Sequence, residues 1–273
     1  MQNFSIGIIG AGNMGLALAS GLASRMAPEQ IAVSDPHPDK RQRIRDLGIS
    51  AYADNGPVVA RADLLVLAIK PQGLRELCAA IAHEVQSRRP LVVSVAAGIR
   101  GTDIDRWLGG GLAIVRAMPN TPALINAGIS ALWANDKVSA RQREAAATVL
   151  GVVSEVFWLT DEALMDAATA ISGSGPAYFF LMVEALTAAG VTLGLPRDLC
   201  AALAAGTAAG AGRMIHDHPE EAAALRARVT SPGGTTERAI KSLLGDGFME
   251  MVGRAAQAAR DRSRELGEQL GAA

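Results

Sequence analysis

Short runs of consecutive apolar residues fill the first half of the chain, and segments with helical spacing separate them. Phe4–Ile9 predicts a buried strand, and the apolar positions that continue to Leu22 predict a helix packed into a core. Runs this apolar are typical of parallel strands that are buried on both faces of a sheet. Further strands are predicted at Ile31–Ser34, 63–70, 91–98, 112–118, 128–134 and 156–159, with a helix at 141–150.

This alternation of strands and helices predicts an α/β domain over residues 1–161, with a Rossmann-like, doubly wound sheet. After Asp161 the strand pattern stops, and residues 162–273 predict an all-α domain rich in Ala, Leu, Glu and Arg. Within it, Ala201–Gly212 is almost entirely Ala and Gly. A helix so smooth buries too little surface alone, so we expect it to pack against a second copy of the chain.

The composition narrows the class of protein. Hydrophobic residues make up 49% of the chain and aromatic residues only 4%, so the core must be aliphatic. The 26 Lys and Arg residues balance 27 Asp and Glu residues, which leaves no charge excess to favour nucleic acid or an anionic membrane. Cys78 and Cys200 have no metal or redox spacing, so we expect no metal site and two reduced core cysteines in a cytoplasmic protein.

The uncharged start of the chain raises three possibilities: a signal peptide, a membrane span or a nucleotide-binding turn. Residues 1–6 contain no positive side chain, and glycines interrupt the apolar stretch that follows, which argues against the first two. Between the first strand and helix lies Gly10-Ala11-Gly12-Asn13-Met14-Gly15, a G-x-G-x-x-G sequence. Such glycines permit a tight turn, close approach of a pyrophosphate and close helix packing, so this turn predicts a dinucleotide site.

Asp35 ends the second predicted strand, twenty residues after Gly15. An acidic residue at this place accepts hydrogen bonds from ribose hydroxyls and repels a 2′-phosphate, although it can also be an exposed cap of the turn before Pro36. Lys40, Arg41 and Arg43 follow closely and offer compensating positive charge. The choice between NADH and NADPH therefore stays open, with NADH expected to be usable.

Ligands of doubly wound sheets bind beyond the carboxyl ends of the strands. The turn around Asn120 lies between two prolines, which hold it extended either as a connector or as a support for nicotinamide or substrate. The further cofactor candidates at strand ends are Asn55, Ala68, Ile69, Lys70, Pro71, Ala96, Ala97, Gly98 and Asn120.

Two polar, glycine-containing stretches stand out in the helical half. Ser172–Tyr178 opens a long helix, with Ser174 or Gly175 as its cap. The second stretch places hydroxyls and unpaired N–H groups at a helix N-terminus, which is either an ordinary capped turn or a site for a carboxylate. Its candidate ligands are Ser231, Gly233, Gly234, Thr235 and Thr236.

Six motifs in this order resemble pyrroline-5-carboxylate reductases over nearly the whole chain: GAGNMG (10–15), AIKP (68–71), AAG (96–98), MPNTP (118–122), SGSGPAY (172–178) and SPGGTT (231–236). The resemblance implies reduction of 1-pyrroline-5-carboxylate to L-proline by NADPH or NADH, in homodimers interlocked through the helical domain. It implies that residues 10–15 and 68–71 bind the dinucleotide, and that Thr236 approaches the ring nitrogen. Ser231, Gly233, Gly234 and Thr235 would bind the substrate carboxylate.

Two departures from the family pattern are visible. NADPH-preferring members tend to have a hydroxyl residue where Asp35 stands, and the segment His216–Glu221 does not follow the pattern. The chemistry agrees with the resemblance, because a protonated imine is already electrophilic and needs orientation more than a strong general acid. The four histidines lie outside the strand-end motifs.

There are three alternatives, and two of them have sequence tests. A 3-hydroxyacid dehydrogenase would carry a catalytic Lys where this chain has Phe179. A non-enzymatic sensor of dinucleotides would not need the 231–236 motif. A reductase of related cyclic imines shares the chemistry and stays open.

Overall fold

The computed structural model describes residues 4–218 and 220–272. Its eight strands are β1 (Ile6–Ile9), β2 (Ile31–Ser34), β3 (Ser50–Tyr52), β4 (Leu64–Leu67), β5 (Leu91–Ser94), β6 (Ile114–Pro119), β7 (Gly128–Ala134) and β8 (Ser154–Trp158). Its α-helices are α1 (Asn13–Ala23), α2 (Pro38–Arg45), α3 (Gly56–Val59), α4 (Leu74–Arg88), α5 (Gly101–Trp107), α6 (Ala140–Leu150), α7 (Met165–Ala168), α8 (Gly175–Thr192), α9 (Arg197–Asp217), α10 (Ala222–Arg228), α11 (Thr235–Gly245) and α12 (Phe248–Ala272). Short 3₁₀ turns lie at Pro28–Gln30, Pro71–Gly73, Thr121–Ile125 and Glu162–Leu164, and a π-helical turn at Thr169–Gly173.

The strands form one sheet in the order β3-β2-β1-β4-β5-β6-β7-β8. All neighbours are parallel except β6 and β7. The order reverses direction between β1 and β4, which makes the space beyond their carboxyl ends the switch point where such sheets bind ligands. The predicted Rossmann-like, doubly wound sheet is therefore confirmed.

Apolar clusters cover both faces of this sheet. Leu18 and Val66 belong to the cluster on one face, and Leu65, Cys78 and Ile104 belong to the cluster on the other. Burial raises the pKa of the Cys78 thiol to about 12, so this residue is an inert part of the core. Cys78 and Cys200 are both free and buried, as the sequence predicts.

The chain divides into two compact units. The first contains the described residues up to Ser174 and those from Ala258 onward, and the second is Gly175–Gln257. The boundary predicted at 161/162 follows the end of the strand pattern, whereas packing divides the chain at 174/175. Glu162 accepts a hydrogen bond from Arg116 of β6 at 2.9 Å, which joins the segment 162–174 to the sheet. Ser263 Oγ in turn donates a hydrogen bond to Asp166 Oδ1 at 2.6 Å, which joins the end of α12 to that segment.

Within the second unit, α8 and α9 pack against each other. A Cβ on Gly190 would lie 2.7 Å from Cys200 Sγ, so the absence of a side chain lets these helices approach. Only Gly175 and Thr187 of α8 are buried, and Phe179, Phe180 and Leu181 are more than half exposed. The helical run Glu162–Thr192 is long and apolar enough to cross a membrane, and 11% of its most apolar 18-residue stretch is buried.

Two features of the secondary structure differ from the sequence predictions. β3 was not predicted, because Ser50–Tyr52 is a three-residue strand at the sheet edge without an apolar run. The sequence predicts Ser174 or Gly175 as the cap of α8, but Ser174 has αR backbone angles instead of the extended conformation of an N-cap, and Gly175 is already the first residue of the helix. The chain enters α8 directly from the π-helical turn.

Candidate active site

The Gly10–Gly15 turn connects β1 to α1 at the switch point of the sheet. Gly10 has φ +100°, and a Cβ there would lie 2.5 Å from the carbonyl oxygen of Ala68. A Cβ on Gly15 would lie 1.9 Å from the carbonyl oxygen of Gly10. Both positions therefore require glycine, the first for its backbone angle and the second for the close approach of α1.

Gly12 differs from these two glycines because a Cβ there would meet no protein atom within 4 Å. It is the N-cap of α1, so the first amides of the helix are directed to the open space beside it. An amide-lined cradle at a helix N-terminus favours an anion. The geometry fits the pyrophosphate of a dinucleotide.

Asp35 follows β2 and is 5% exposed. Its carboxylate accepts hydrogen bonds at 2.9 Å from the backbone N–H groups of Ala11 and His37, and Lys40 Nζ lies 3.4 Å from Oδ2. Burial raises the pKa of Asp35, but the two amides and the Lys40 ammonium outweigh it and hold that pKa below its ordinary value. Asp35 is thus an ionised brace of the glycine turn, in addition to its predicted place near the ribose.

Basic residues and Asn55 surround this acid. The Arg41 guanidinium donates to the carbonyl oxygens of Asp35 and Pro36 at 2.8 and 2.7 Å, so it is committed to the backbone. Lys40 is 40% exposed and remains the cation nearest to the carboxylate. Asn55 is half-buried at the start of α3, where its Oδ1 accepts from Ser34 Oγ at 2.8 Å.

The end of β4 lies beside the glycine turn. The amide of Ala68 donates to the carbonyl of Ile9 at 2.8 Å, and the Ile69 side chain packs beside Gly10. Lys70 is exposed and precedes the 3₁₀ turn that begins at Pro71. The carbonyl oxygen of Lys70 accepts a hydrogen bond from the Gly73 amide at 3.2 Å. These four predicted residues therefore share one edge with the Gly10–Gly15 turn.

The Ala96–Gly98 turn is held from behind by the end of α12. Gly98 has φ +81°, and a Cβ on Gly267 would lie 2.4 Å from the carbonyl oxygen of Gly98. The sequence predicted a cofactor role for Gly98, and the structure adds a packing requirement for a glycine at each side of this contact. Nothing in the sequence pattern pairs residue 98 with residue 267.

Asn120 is buried, and both ends of its side chain are bound within the first unit. Its Oδ1 accepts from the Ile129 amide at 2.9 Å, and its Nδ2 donates to the carbonyl of Ser172 at 3.0 Å. Of the two roles considered for this turn, the contacts favour the connector: Asn120 ties the end of β6 to β7 and to the SGSGP segment.

The Ser231–Thr236 turn leads into α11 in the second unit. Gly233 has φ +74°, which favours glycine, and Gly234 is the N-cap. Two amides expected to be unpaired are occupied: Gly233 N–H donates to Glu237 Oε2 at 2.8 Å, and Gly234 N–H donates to the Ser231 carbonyl at 3.0 Å. The Lys241 ammonium and the Gly233 amide hold the pKa of Glu237 below its ordinary value.

The groups of this turn best placed for a carboxylate are therefore the first-turn amides of Thr235 and Thr236, which have no intrahelical acceptor, together with the hydroxyls. The nearby segment that departs from the family pattern begins at the end of α9, since His216 and Asp217 are its last residues, and Pro219 lies outside the described residues. Among residues 4–218 and 220–272, no cluster of three or more His, Cys, Asp or Glu side chains could hold a metal ion.

Two protein families match parts of this chain. Residues 162–266 match the family described as pyrroline-5-carboxylate reductase dimerisation, and residues 5–98 match the family described as NADP oxidoreductase coenzyme F420-dependent. The chain is 48% identical to the pyrroline-5-carboxylate reductase of Pseudomonas aeruginosa, over 99% of this chain and 100% of that protein.

Solved structures agree with this relationship. A pyrroline-5-carboxylate reductase from Coxiella burnetii matches with a TM-score of 0.92 and 37% identity, over 97% of this chain and 99% of the other. The Plasmodium falciparum pyrroline carboxylate reductase with NADP bound matches with a TM-score of 0.85 and 29% identity, over 98% and 99% of the two chains. This chain therefore belongs to the pyrroline-5-carboxylate reductase family.

Proposed function

We propose that this enzyme reduces the C=N bond of 1-pyrroline-5-carboxylate to give L-proline, with NADPH or NADH as the hydride donor. The observation that carries the proposal is the 48% identity to a pyrroline-5-carboxylate reductase over 99% of this chain and 100% of that protein. The geometry supports it, because the first unit has the glycine turn of a dinucleotide site and the second has a hydroxyl-rich helix N-terminus suited to a carboxylate.

The nicotinamide ring, when bound, supplies a hydride to the imine carbon. The protein's own part is to bind and orient. The α1 amides and the open face of Gly12 hold the pyrophosphate, while Asp35 fixes the turn through the Ala11 amide. In the second unit, Ser231, Gly233, Gly234 and Thr235 form the turn that binds the substrate carboxylate, mainly through first-turn amides and hydroxyls. The Thr236 hydroxyl orients the ring nitrogen and its proton.

Steady-state turnover tests the assignment. We expect the highest kcat/KM on 1-pyrroline-5-carboxylate, with lower values on pyrroline-2-carboxylate and on cyclic imines without a carboxylate. Each charge-assisted hydrogen bond from an amide to the substrate carboxylate should contribute about 1.5–3 kcal/mol to binding. Substrates without the carboxylate should therefore have a much lower kcat/KM. Equal kcat/KM values on all three substrates would favour a general cyclic imine reductase instead.

Cofactor preference follows from Asp35. Its ionised carboxylate disfavours a 2′-phosphate, while Lys40 offsets part of that charge, so NADH should be used at least comparably with NADPH. Asp35→Ser should shift the ratio of kcat/KM values toward NADPH. A wild-type preference for NADPH of about a hundredfold, ~2.7 kcal/mol, that the substitution leaves unchanged would contradict this assignment.

Asp35→Asn is a partial control for the braces that Asp35 forms. Asparagine carries no charge and has one acceptor oxygen, so it can keep one brace but not both, because the amides of Ala11 and His37 donate to different oxygens of Asp35. If charge decides the preference, Asp35→Asn and Asp35→Ser shift it in the same direction. If only the serine variant changes kinetics, the effect comes from a disordered glycine turn.

We further infer that the second unit mediates a homodimer in the cytoplasm, with no nucleic-acid or membrane partner. The match of residues 162–266 to a dimerisation family supports this, as do the exposed apolar side chains of α8. Contiguous exposed apolar side chains of this kind mark surfaces that bind a partner. A subunit contact accounts for the apolar run Glu162–Thr192 without a bilayer.

Ala205→Trp tests the dimer. Ala205 is exposed on α9, so the indole has room in an isolated chain but should overpack a subunit contact by about 1–3 kcal/mol or more. We expect sedimentation to show a shift toward monomer, whereas Ala79→Trp on the exposed side of α4 should leave assembly unchanged. A wild-type protein that is monomeric and fully active at micromolar concentration would exclude the proposed dimer.

A further inference from the structure

The end of α12 packs against the first unit with one face. Ser263, Gly267 and Gly271 are buried and lie four residues apart, so they share that face, whereas the residues between them are mostly exposed. The Ser263 hydroxyl donates to Asp166 at 2.6 Å. The carbonyl oxygen of Gly271 accepts from Arg106 Nη2 on α5 at 2.6 Å. These two hydrogen bonds hold the helix on either side of Gly267.

Gly267 brings the backbone of the helix against the backbone of Gly98. A Cβ on Gly267 would overlap the carbonyl oxygen of Gly98. In the reverse direction, a Cβ on Gly98 would lie 3.0 Å from the carbonyl oxygen of Ser263 and 3.2 Å from the nitrogen of Gly267. The partners are main-chain atoms, which cannot rotate away as the end of a side chain can. The contact therefore fixes the distance between α12 and the Ala96–Gly98 turn.

The Ala96–Gly98 turn follows β5, at the edge of the sheet where we propose that the dinucleotide binds. The turn has no polar side chain, so it can offer hydrogen bonds to a ligand only through its backbone. The amide of the half-buried Ala97 donates to no acceptor within residues 4–218 and 220–272, which leaves it as a donor for a ligand. A backbone donor cannot be adjusted by a change of rotamer, so its use depends on where the turn is held.

We propose that Gly267 is a positioning residue of the dinucleotide site. The absence of its side chain lets α12 hold the Ala96–Gly98 turn where the Ala97 amide reaches the bound cofactor. An alanine at residue 267 would separate the two backbones by about 1 Å, up to the ~3.3 Å of a close C···O contact. A displacement of about 1 Å can cost about a hundredfold in the action of a positioned group. The inference rests on the proposed function, because it requires a dinucleotide at this edge of the sheet.

Titration of the full chain with NADH and with NADPH, followed by nucleotide fluorescence in the absence of the imino acid, tests this role. We expect Gly267→Ala to raise the Kd of both dinucleotides about ten- to a hundredfold. KM for 1-pyrroline-5-carboxylate at saturating cofactor should stay near the wild-type value, since the 231–236 turn belongs to the second unit.

Gly271→Ala is the matched control on the same face of α12. A Cβ there would overlap the carboxylate of Asp103, whose side chain can rotate, and its three nearest atoms all belong to that side chain. This variant should disturb the packing of α12 and leave both Kd values unchanged. Gly253→Ala, where a Cβ meets open space earlier in α12, should match the wild type in thermal unfolding and in Kd.

A rise in Kd for Gly267→Ala but not for Gly271→Ala supports the positioning role. Wild-type Kd values in Gly267→Ala overturn it, and so does an equal rise in Gly271→Ala, because that result reports loosened packing of the whole helix. If Gly267→Ala does not fold, Ser263→Ala decides. It adds no atoms and releases from Asp166 the helical turn that borders Gly98, so it should raise Kd by about two- to tenfold, and an unchanged Kd overturns the proposal.

The wild-type titration separates this inference from the proposed function. A wild-type protein that binds neither dinucleotide contradicts the proposed function and this inference with it. A wild-type protein that binds a dinucleotide and reduces 1-pyrroline-5-carboxylate, beside a Gly267→Ala variant with the same Kd, contradicts this inference alone.

Discussion

Gly12→Ala is expected to fold as stably as the wild type and yet to bind the cofactor more weakly. Gly15→Ala should lose both stability and cofactor affinity. The two glycines lie three residues apart in one turn but meet different surroundings. A Cβ on residue 12 meets no protein atom within 4 Å, so it obstructs only a ligand that approaches the α1 amides. A Cβ on residue 15 would lie 1.9 Å from the Gly10 carbonyl, and α1 must move away from β1.

Thermal unfolding and cofactor binding together measure the difference. Gly12→Ala should weaken NADPH and NADH binding by about ten- to a hundredfold, as expected when one charge-assisted hydrogen bond is lost. Gly15→Ala should also reduce the free energy of unfolding by about 1–3 kcal/mol or more through overpacking. Gly56→Ala is the control, since its Cβ would also meet open space, at the start of α3. If Gly12→Ala and Gly15→Ala both leave cofactor affinity unchanged, the dinucleotide does not bind at this turn.

Most of the sheet could be predicted from sequence because the strands β1, β2, β4 and β5 are buried at every position. Each such strand is a short apolar run, and Ile31–Ser34 and Gly128–Ala134 match the predicted bounds. β3 lies at the sheet edge, where Ser50–Tyr52 needs no apolar run to pair with β2. A prediction that relies on buried apolar runs therefore does not detect an edge strand such as β3.

The candidate site was predictable where one local sequence performs the whole task, as in the Gly10–Gly15 turn. It was not predictable where distant residues meet. Gly267 contacts Gly98 across more than half of the chain. Even a near neighbour can be missed: Glu237 is only four residues from the Gly233 amide that it occupies, but the sequence does not show the direction of its side chain. Arg116 had a visible signal, a single charge within a buried strand, but its partner Glu162 follows only from the fold.

Gly234→Val is expected to raise KM for the imino acid strongly and to leave cofactor affinity nearly unchanged. A Cβ on Gly234 would lie 3.0 Å from the Ser231 carbonyl oxygen, so valine must distort the turn that presents the first amides of α11. The dinucleotide turn belongs to the other unit. Gly245→Ala, where a Cβ meets open space at the far end of α11, is the control that should behave as wild type.

Thr236→Ala is expected to act on kcat instead of KM, because its hydroxyl matters most as charge on the ring nitrogen changes during hydride transfer. An interaction that is stronger in the transition state than in the ground state lowers kcat when it is removed. We expect a loss of about ten- to a thousandfold, the range of one hydrogen bond or modest help with proton transfer. Thr236→Ser, which keeps the hydroxyl, should restore most of the rate. If Thr236→Ala and Gly234→Val both retain wild-type kinetics on 1-pyrroline-5-carboxylate, the 231–236 turn is only the cap of α11, and the substrate binds elsewhere.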